Sequence, residues 1–333
     1  MHESSPPSSR RLGRGDRAGL PAEVRRLAGS CTPGADRRAG HPPPFAARRA
    51  LLAGFGALVA TAGALPARPA LAAAPADAPL EEVPYVKTPS NVVDAILELA
   101  EVGPADRLID LGSGDGRIVI EAARRFGARG LGVELDPSLV ALSNERAREA
   151  GVADRARFVQ QDLFDTDLAP ATVITMYLLP DVNLALRPRL LERLAPGTRV
   201  VSHDWNMGDW RPERSVTVAA PDKPVGLERR STVHLWIVPA RVGGRWDARV
   251  GDARRFRPLE LAFEQRYQDV TVSVASDGRA PRAGRGTLRG DALRFEVQAG
   301  RDTMRFEGRV AGAVIEGSVE RDGQRTPWRA TRR

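Results

Sequence analysis

A single cysteine, Cys31, lies early in the chain. From residue 75 onward there is therefore neither a disulfide nor a thiol nucleophile. Histidine is nearly as scarce: beyond that point only His203 and His234 remain. Their separation offers no ligand spacing, so no metal is expected. A long apolar run is also missing, since Leu51 to Leu65 is short and is followed by Pro66 and Arg68, which argues against a membrane span. The net charge of +8 is not spread over a basic domain. Residues 1–74 hold eleven arginines against Glu3, Asp16, Glu23 and Asp36, so they carry +7 of it and the remainder is nearly neutral. Without a basic face there is little electrostatic footprint for DNA or RNA, and no nucleic-acid partner is expected.

The basic leader has internal order. A Pro/Arg/Gly-rich start, read as disordered, precedes Ala46-Ala-Arg-Arg-Ala-Leu-Leu, the apolar stretch, and then Ala70-Leu-Ala-Ala-Ala. This order is that of a twin-arginine export signal, with a small-residue cleavage site near Ala72 or Ala74. It predicts an exported protein of the periplasm or cell envelope, or a cytoplasmic one if the leader is not functional. The rest divides by texture into residues 75–240 and residues 241–333.

The run Arg107-Leu-Ile-Asp-Leu-Gly-Ser-Gly-Asp-Gly-Arg117 organises the first of these parts. An apolar strand stops at Asp110 and becomes a loop in which Gly112, Gly114 and Gly116 can take positive φ and let backbone approach a ligand. Ile118, Val119, Ile120, Ala122, Ala123 and Phe126 continue at helical spacing, so the loop delivers its ligand to a helix N-terminus. A dinucleotide fingerprint needs a third glycine where Arg117 stands. A pyrophosphate would also avoid an anion, so Asp110 points instead to a cationic or amino-bearing group, and S-adenosylmethionine, with its ammonium and sulfonium, fits.

Two further strands end in acids. Gly130-Leu-Gly-Val-Glu134 places a carboxylate where ribose hydroxyls can be accepted, and Arg157-Phe-Val-Gln-Gln-Asp162 places another within reach of an adenine amine. Ser90 or Asn91 is expected to cap a helix before the first strand. Pro137 opens a helix that stops at Gly151. Ala171 to Met176 and Arg199 to His203 read as the fourth and fifth strands with an amphipathic helix, Leu184 to Leu194, between them, and Ser215 to Ala219 and Thr232 to Val238 finish the sheet. From Arg241 alternating runs recur (Leu259/Leu261/Phe263, Val270/Val272/Val274, Leu293/Phe295/Val297, Met304/Phe306, Val314/Ile315 to Val319), separated by glycine turns. The expectation is a small antiparallel β-domain, sandwich or barrel, serving docking or stability or forming a binding cup. The fold class is thus α/β, a Rossmann-like seven-strand sheet followed by that β-domain.

Residues 84 to about 240 resemble the class I, seven-strand methyltransferases. In particular they resemble the lysine methyltransferases that include the mitochondrial enzymes acting on ATP synthase c subunit and the adenine nucleotide translocase, with bacterial relatives. The resemblance rests on Pro84-Tyr-Val-Lys-Thr-Pro89, the Asp110 to Gly116 run, Glu134, Asp162, Tyr177-Leu-Leu-Pro180 and Val201-Ser-His-Asp-Trp-Asn-Met-Gly-Asp-Trp210. It implies S-adenosylmethionine as cofactor, held by Tyr85, Thr88, Asp110, Gly112, Gly114, Gly116, Glu134 and Asp162, and a protein lysine as acceptor. From their position after strands four and five, Tyr177, His203 and Asp204 are expected to line the catalytic opening, with Trp205 or Trp210 offering a face to a cationic substrate. His203 also reads as an ordinary structural hydrogen bonder, and the tryptophans as packing against a neighbouring domain. A small-molecule methyltransferase and an exported, non-enzymatic methyltransferase-like protein with a cell-envelope or membrane partner are the rival readings.

Overall fold

The computed structural model describes residues 85–226, 228–252, 254–276 and 279–333. The leader with its export pattern, Cys31 and Pro84 lie outside the described residues, all of which fall within one compact unit.

The first half is a seven-stranded sheet. Its strands are β1 (Arg107–Leu111), β2 (Arg129–Glu134), β3 (Ala156–Gln160), β4 (Val173–Met176), β5 (Arg199–His203), β6 (Arg214–Ala219) and β7 (Arg230–Ile237), in the spatial order β3-β2-β1-β4-β5-β7-β6. Strands β1 to β5 run parallel, and β7 pairs antiparallel to both β5 and β6. Helices α1 (Ser90–Leu99), α2 (Arg117–Phe126), α3 (Pro137–Glu149) and α4 (Pro180–Arg193) cover it. The central strands are apolar on both faces because both faces are covered. Leu108, Val173 and Val201 point into a core with α1 and α2, while their neighbours Ile109, Ile174 and Val200 point into a second core under α4. The strand order reverses between β1 and β4, and such sheets bind ligands beyond the carboxyl ends of the strands at that reversal.

Three local expectations are corrected. The N-cap of α1 is Pro89, not Ser90 or Asn91; the Asn91 amide instead donates to the Ala219 carbonyl and ties the helix to β6. Helix α4 starts at Pro180, four residues before the amphipathic pattern, because the Pro180 ring suits a first helical turn. Strand β3 ends at Gln160, so Asp162 lies beyond it and caps the short 3-10 turn Leu163–Asp165, its Oδ1 accepting from the Phe164 amide at 2.8 Å.

The C-terminal half is a closed antiparallel barrel, which resolves the sandwich-or-barrel alternative. Its strands are β8 (Gly244–Gly251), β9 (Phe256–Arg266), β10 (Asp269–Ser276), β11 (Arg279–Arg289), β12 (Ala292–Ala299), β13 (Asp302–Ala311), β14 (Val314–Arg321) and β15 (Gln324–Arg332), and β15 pairs with β8 to close the ring. The interior is filled with side chains. Phe295 and Phe306 stack at 4.5 Å, and Trp328 meets both edge-on. Outward positions carry arginine paired with acids, as in Arg305–Glu296 and Arg329–Glu316.

The barrel meets the sheet through the hairpin between β9 and β10. The Tyr267 ring stacks on Trp210 with ring centroids 6.0 Å apart, and its hydroxyl donates to Asp209 at 2.8 Å. Asp209 also pairs with Arg187 of α4 and Arg266 of the barrel, both at 2.6 Å. The Gln268 amide donates to the Arg211 carbonyl. Trp210 is buried and sits between Tyr267 and Trp236, whose indole N–H donates to the Trp210 carbonyl at 2.7 Å. This corrects the expectation that Trp210 could face a substrate; its payload of apolar area goes into the joint between the two halves. Trp205, 41% exposed, remains available.

Candidate active site

The glycine run leaves the end of β1 as a tight loop. Gly112, Gly114 and Gly116 have φ of +75°, +53° and +77°, a region that costs other residues about 1–2 kcal/mol each. Gly114 has a second constraint, since a Cβ there would overlap the Tyr85 ring. The loop is tied to the end of β2: the amides of Gly112 and Ser113 both donate to the Val133 carbonyl, and the Gly114 amide donates to Glu134 Oε2 at 2.8 Å. Glu134 Oε1 accepts from the amides of Leu135 and Asp136. These bonds fix the carboxylate while leaving it lone pairs for hydroxyls.

Beneath the loop Asp110 is buried, 2% exposed, and accepts from the Thr175 hydroxyl at 2.6 Å. Burial pushes its pKa from 3.8 up to about 7, against the pull of that hydrogen bond and helped by the charges of Glu134 and Asp115. A carboxylate in this state gains most from a cationic partner. The buried Ser113 hydroxyl of the same loop has no hydrogen-bond partner among the described residues. A positively charged amino group and a pair of sugar hydroxyls would satisfy these groups, so the residues present fit S-adenosylmethionine.

Asp115, which the sequence reading passed over, holds the segment before α1 against the loop. It is buried, and although burial alone would raise its pKa, the guanidinium of Arg117 at 2.6 Å and that of Arg146 hold it far below the usual carboxylate range. Arg117 also donates to the Thr88 carbonyl at 2.6 Å. The second acid of the Asp-Leu-Gly-Ser-Gly-Asp-Gly run was visible in the sequence; its half-exposed arginine partner on α3 was not. Tyr85 packs over Gly114, and its phenol is raised to about 12 by burial and by Asp115.

The expected catalytic residues form a second cluster joined to the first. The Thr88 hydroxyl lies 3.4 Å from His203 Nδ1, and Leu178, next to Tyr177, lies against Gly112. His203 is fully buried with its ring 3.9 Å from that of Tyr177, and its Nε2 is 2.8 Å from the Ser231 hydroxyl. Burial keeps it well below the ordinary histidine range, and Lys223 adds to this against the opposing Asp204. Both ring nitrogens are engaged, so His203 is a neutral buttress. Asp204 follows with φ +61°, a strained value for a non-glycine residue. The strain is held by two bonds to Thr232: Asp204 N donates to its carbonyl at 2.6 Å, and Asp204 Oδ1 accepts from its amide at 3.0 Å. Asp204 Oδ2 then faces Tyr177 Oη at 3.4 Å and Lys223 Nζ at 2.7 Å. Burial of Tyr177, with Asp204 beside it, raises its phenol to about 12, so it stays protonated as a donor. Burial works to raise Asp204 as well, but the Lys223 hydrogen bond and His203 outweigh it and the group stays ionised.

The structure therefore gathers Tyr85, Thr88, Asp110, Gly112, Gly114, Gly116 and Glu134 about one loop and Tyr177, His203 and Asp204 beside it. Asp162 is exposed just beyond β3 on the same edge, next to Glu134, whose carbonyl accepts from the Gln161 amide at 2.9 Å. Lys223, Ser231 and Thr175 were missed, because they carry no motif: Thr175 and Ser231 reach the site through strand pairing, and Lys223 through its long side chain from the connection between β6 and β7.

Residues 110–214 match the family described as the ANTKMT methyltransferase domain. The protein-lysine N-methyltransferase of Saccharolobus islandicus is 43% identical over 157 residues, which are 47% of this chain and 94% of that enzyme. The adenine nucleotide translocase lysine N-methyltransferase of Mus musculus is 36% identical over 39% of this chain, and the chain spans 57% of its length. Among solved structures, one described as an RNA methyltransferase from Salinibacter ruber in complex with S-adenosyl-L-homocysteine is 54% identical over 47% of this chain and 96% of that chain, with a TM-score of 0.44. With the Saccharolobus islandicus relative matched over nearly its whole length, and with the seven-strand sheet and its acid-lined glycine loop in place, this chain belongs to the ANTKMT family of S-adenosylmethionine-dependent methyltransferases.

Proposed function

We propose that this enzyme transfers a methyl group to the ε-amine of a lysine in a protein. The observation that carries the reading is the Tyr177–Asp204 pair. An ionised carboxylate and a phenol that stays protonated, both partly buried, stand beside the glycine loop and form a receptor for an ammonium group. S-adenosylmethionine supplies an electrophilic methyl carbon. The chain's own residues align the nucleophile and exclude water, the two contributions that such an in-line displacement needs. Asp204 draws in the acceptor's ammonium and is the acceptor for its proton, while the neutral His203 ring fixes the Tyr177 face. The exposed Trp205 gives the rest of the substrate an aromatic surface.

The test is a methyl-transfer assay in which lysine-containing peptides, RNA and small amines compete for labelled S-adenosylmethionine, with Asp204→Asn and Tyr177→Phe in parallel. Label on peptide lysine that falls at least tenfold in Asp204→Asn supports the reading, a loss of about 1.4 kcal/mol or more of transition-state stabilisation. Label on RNA or on small amines alone sinks it. We further propose that the chain is exported by its twin-arginine leader and acts on a cell-envelope protein, on the strength of Arg48-Arg49 and the alanine-rich run after them. Fractionation of cells expressing the whole chain, with Arg48 and Arg49 replaced by Lys as the control, tests this.

A further inference from the structure

We propose that Lys223 is itself a methyl acceptor, modified in cis at the Tyr177–Asp204 mouth; this rests on reading that mouth as a lysine-accepting site. The chain has 50 basic residues of the Lys and Arg types, of which only Lys87 and Lys223 are lysines. Among the described residues, every ion pair to a carboxylate uses arginine except two, and both of those converge on Asp204. A purely structural pair there would be better served by arginine, whose fork grips a carboxylate with two hydrogen bonds. Lysine is the basic residue that becomes a nucleophile once it loses a proton, and it is the one placed here.

Lys223 reaches the mouth from the connection between β6 and β7. That connection folds back on itself: the Lys223 amide donates to the Ala220 carbonyl at 3.1 Å, and Arg229 donates to the Lys223 carbonyl at 2.8 Å. The side chain is 13% exposed, and Nζ donates to the Arg230 carbonyl at 2.9 Å and to Asp204 Oδ2 at 2.7 Å. That same oxygen faces Tyr177 Oη and lies 3.5 Å from His203 Nε2. The ammonium of Lys223 thus sits where the acceptor's ammonium is expected. In the step, Lys223 gives one proton to Asp204, and the freed nitrogen pair forms an N–C bond to the methyl carbon as the C–S bond breaks. The electron pair of that bond stays on sulfur, so the products are N-methyl-lysine, S-adenosylhomocysteine and one proton passed on to water. Each added methyl removes an N–H donor, so the bonds to Asp204 and the Arg230 carbonyl weaken as modification proceeds.

The test uses the purified full chain, incubated with S-adenosylmethionine and then measured by intact mass and by peptide mapping, alongside a lysine peptide in the same tube. The expected result is one or more methyl groups on Lys223 in the wild type and in Lys87→Arg, and none in Lys223→Arg, which keeps the ion pair. The rate per molecule should not change on dilution; a rate that falls in proportion overturns the cis assignment. A second readout needs no turnover. With an amine-acylating reagent, Lys223 should be labelled several-fold more slowly than the exposed Lys87, and Asp204→Asn should remove most of that difference. Methylated peptide with unmodified Lys223, or methyl on Lys87 in its place, overturns the proposal and leaves the functional reading standing. Neither peptide nor chain methylated overturns both.

Discussion

Asp110→Asn isolates the electrostatic cost on which cofactor recognition is built. The substitution keeps the shape and the bond from Thr175 but removes a buried charge. A folded-state pKa of about 7 against an ordinary 3.8 means that the protonated acid is favoured in the fold. The sign follows: Asp110 costs nothing below the unfolded-state value, and stability is lost as pH rises toward the folded-state value, beyond which the loss is constant. The full difference corresponds to about 4 kcal/mol, and the part that accrues between about pH 5 and pH 8 to about 2–3 kcal/mol. Urea unfolding of the cofactor-free wild type and Asp110→Asn at those two pH values measures it, because the other titrating groups cancel in the difference. The variant should gain about 2–3 kcal/mol on the wild type between the lower and the higher pH. Added S-adenosylmethionine should reverse the order, raising the wild type's melting temperature at the higher pH and leaving the variant's nearly unmoved. A wild-type-to-variant difference that is equal at both pH values would refute the assignment of Asp110 as a desolvated acid awaiting a cation.

Gly114→Ala forces a left-handed residue and pushes on Tyr85, so cofactor affinity should drop at least about tenfold by calorimetry with only about 1–2 kcal/mol lost from the fold. Tyr267→Ala removes the stack on Trp210 and the bond to Asp209 and should cost about 1–2 kcal/mol in unfolding experiments, whereas Tyr267→Phe should cost about half of that; equal losses would mean the stack contributes nothing. His203 is neutral in the fold and has a depressed pKa, so it withdraws stability as pH falls below its unfolded-state value of about 6.5, at up to about 1.4 kcal/mol per pH unit. Melting curves of the wild type between about pH 7 and pH 5 should accordingly fall more steeply than those of His203→Asn.

The parallel part of the fold was readable because its buried strands are short apolar runs, most of which stop at or beside an acid or glycine, as in Leu108 to Gly112. Asp110, Glu134 and the glycines could be found for the same reason: strand end and loop are adjacent in sequence. Asp162 was overextended into β3, since an acid capping a turn and an acid ending a strand look alike along the chain. Three barrel strands, β8, β11 and β15, were missed. Arginine, alanine and glycine fall on both faces of these strands, as in Arg282-Ala-Gly-Arg-Gly286, where Ala283 and Arg285 face out and Gly284 and Gly286 face in, so the alternation is muted. Gly286 is small because a Cβ there would run into the Arg294 carbonyl of the neighbouring strand. That Trp210 packs against the neighbouring domain was readable, but its partner was not, because Tyr267 lies 57 residues away in a hairpin with no motif. Lys223 shows the same limit at the site, where position along the chain says nothing of which carboxylate a long side chain will reach.

Closure of the barrel has a consequence for recruitment. A ring of eight paired strands offers no row of unpaired amides and carbonyls, so a protein that binds the barrel must read its arginine- and glutamate-studded outer face by side chains and cannot extend it by adding a strand. Among the described residues the open rims belong to β3 and β6 of the other half, and the Ala219 carbonyl of β6 is taken by Asn91. An extended segment that pairs through its backbone therefore has edge strands open to it on the sheet half and none on the barrel.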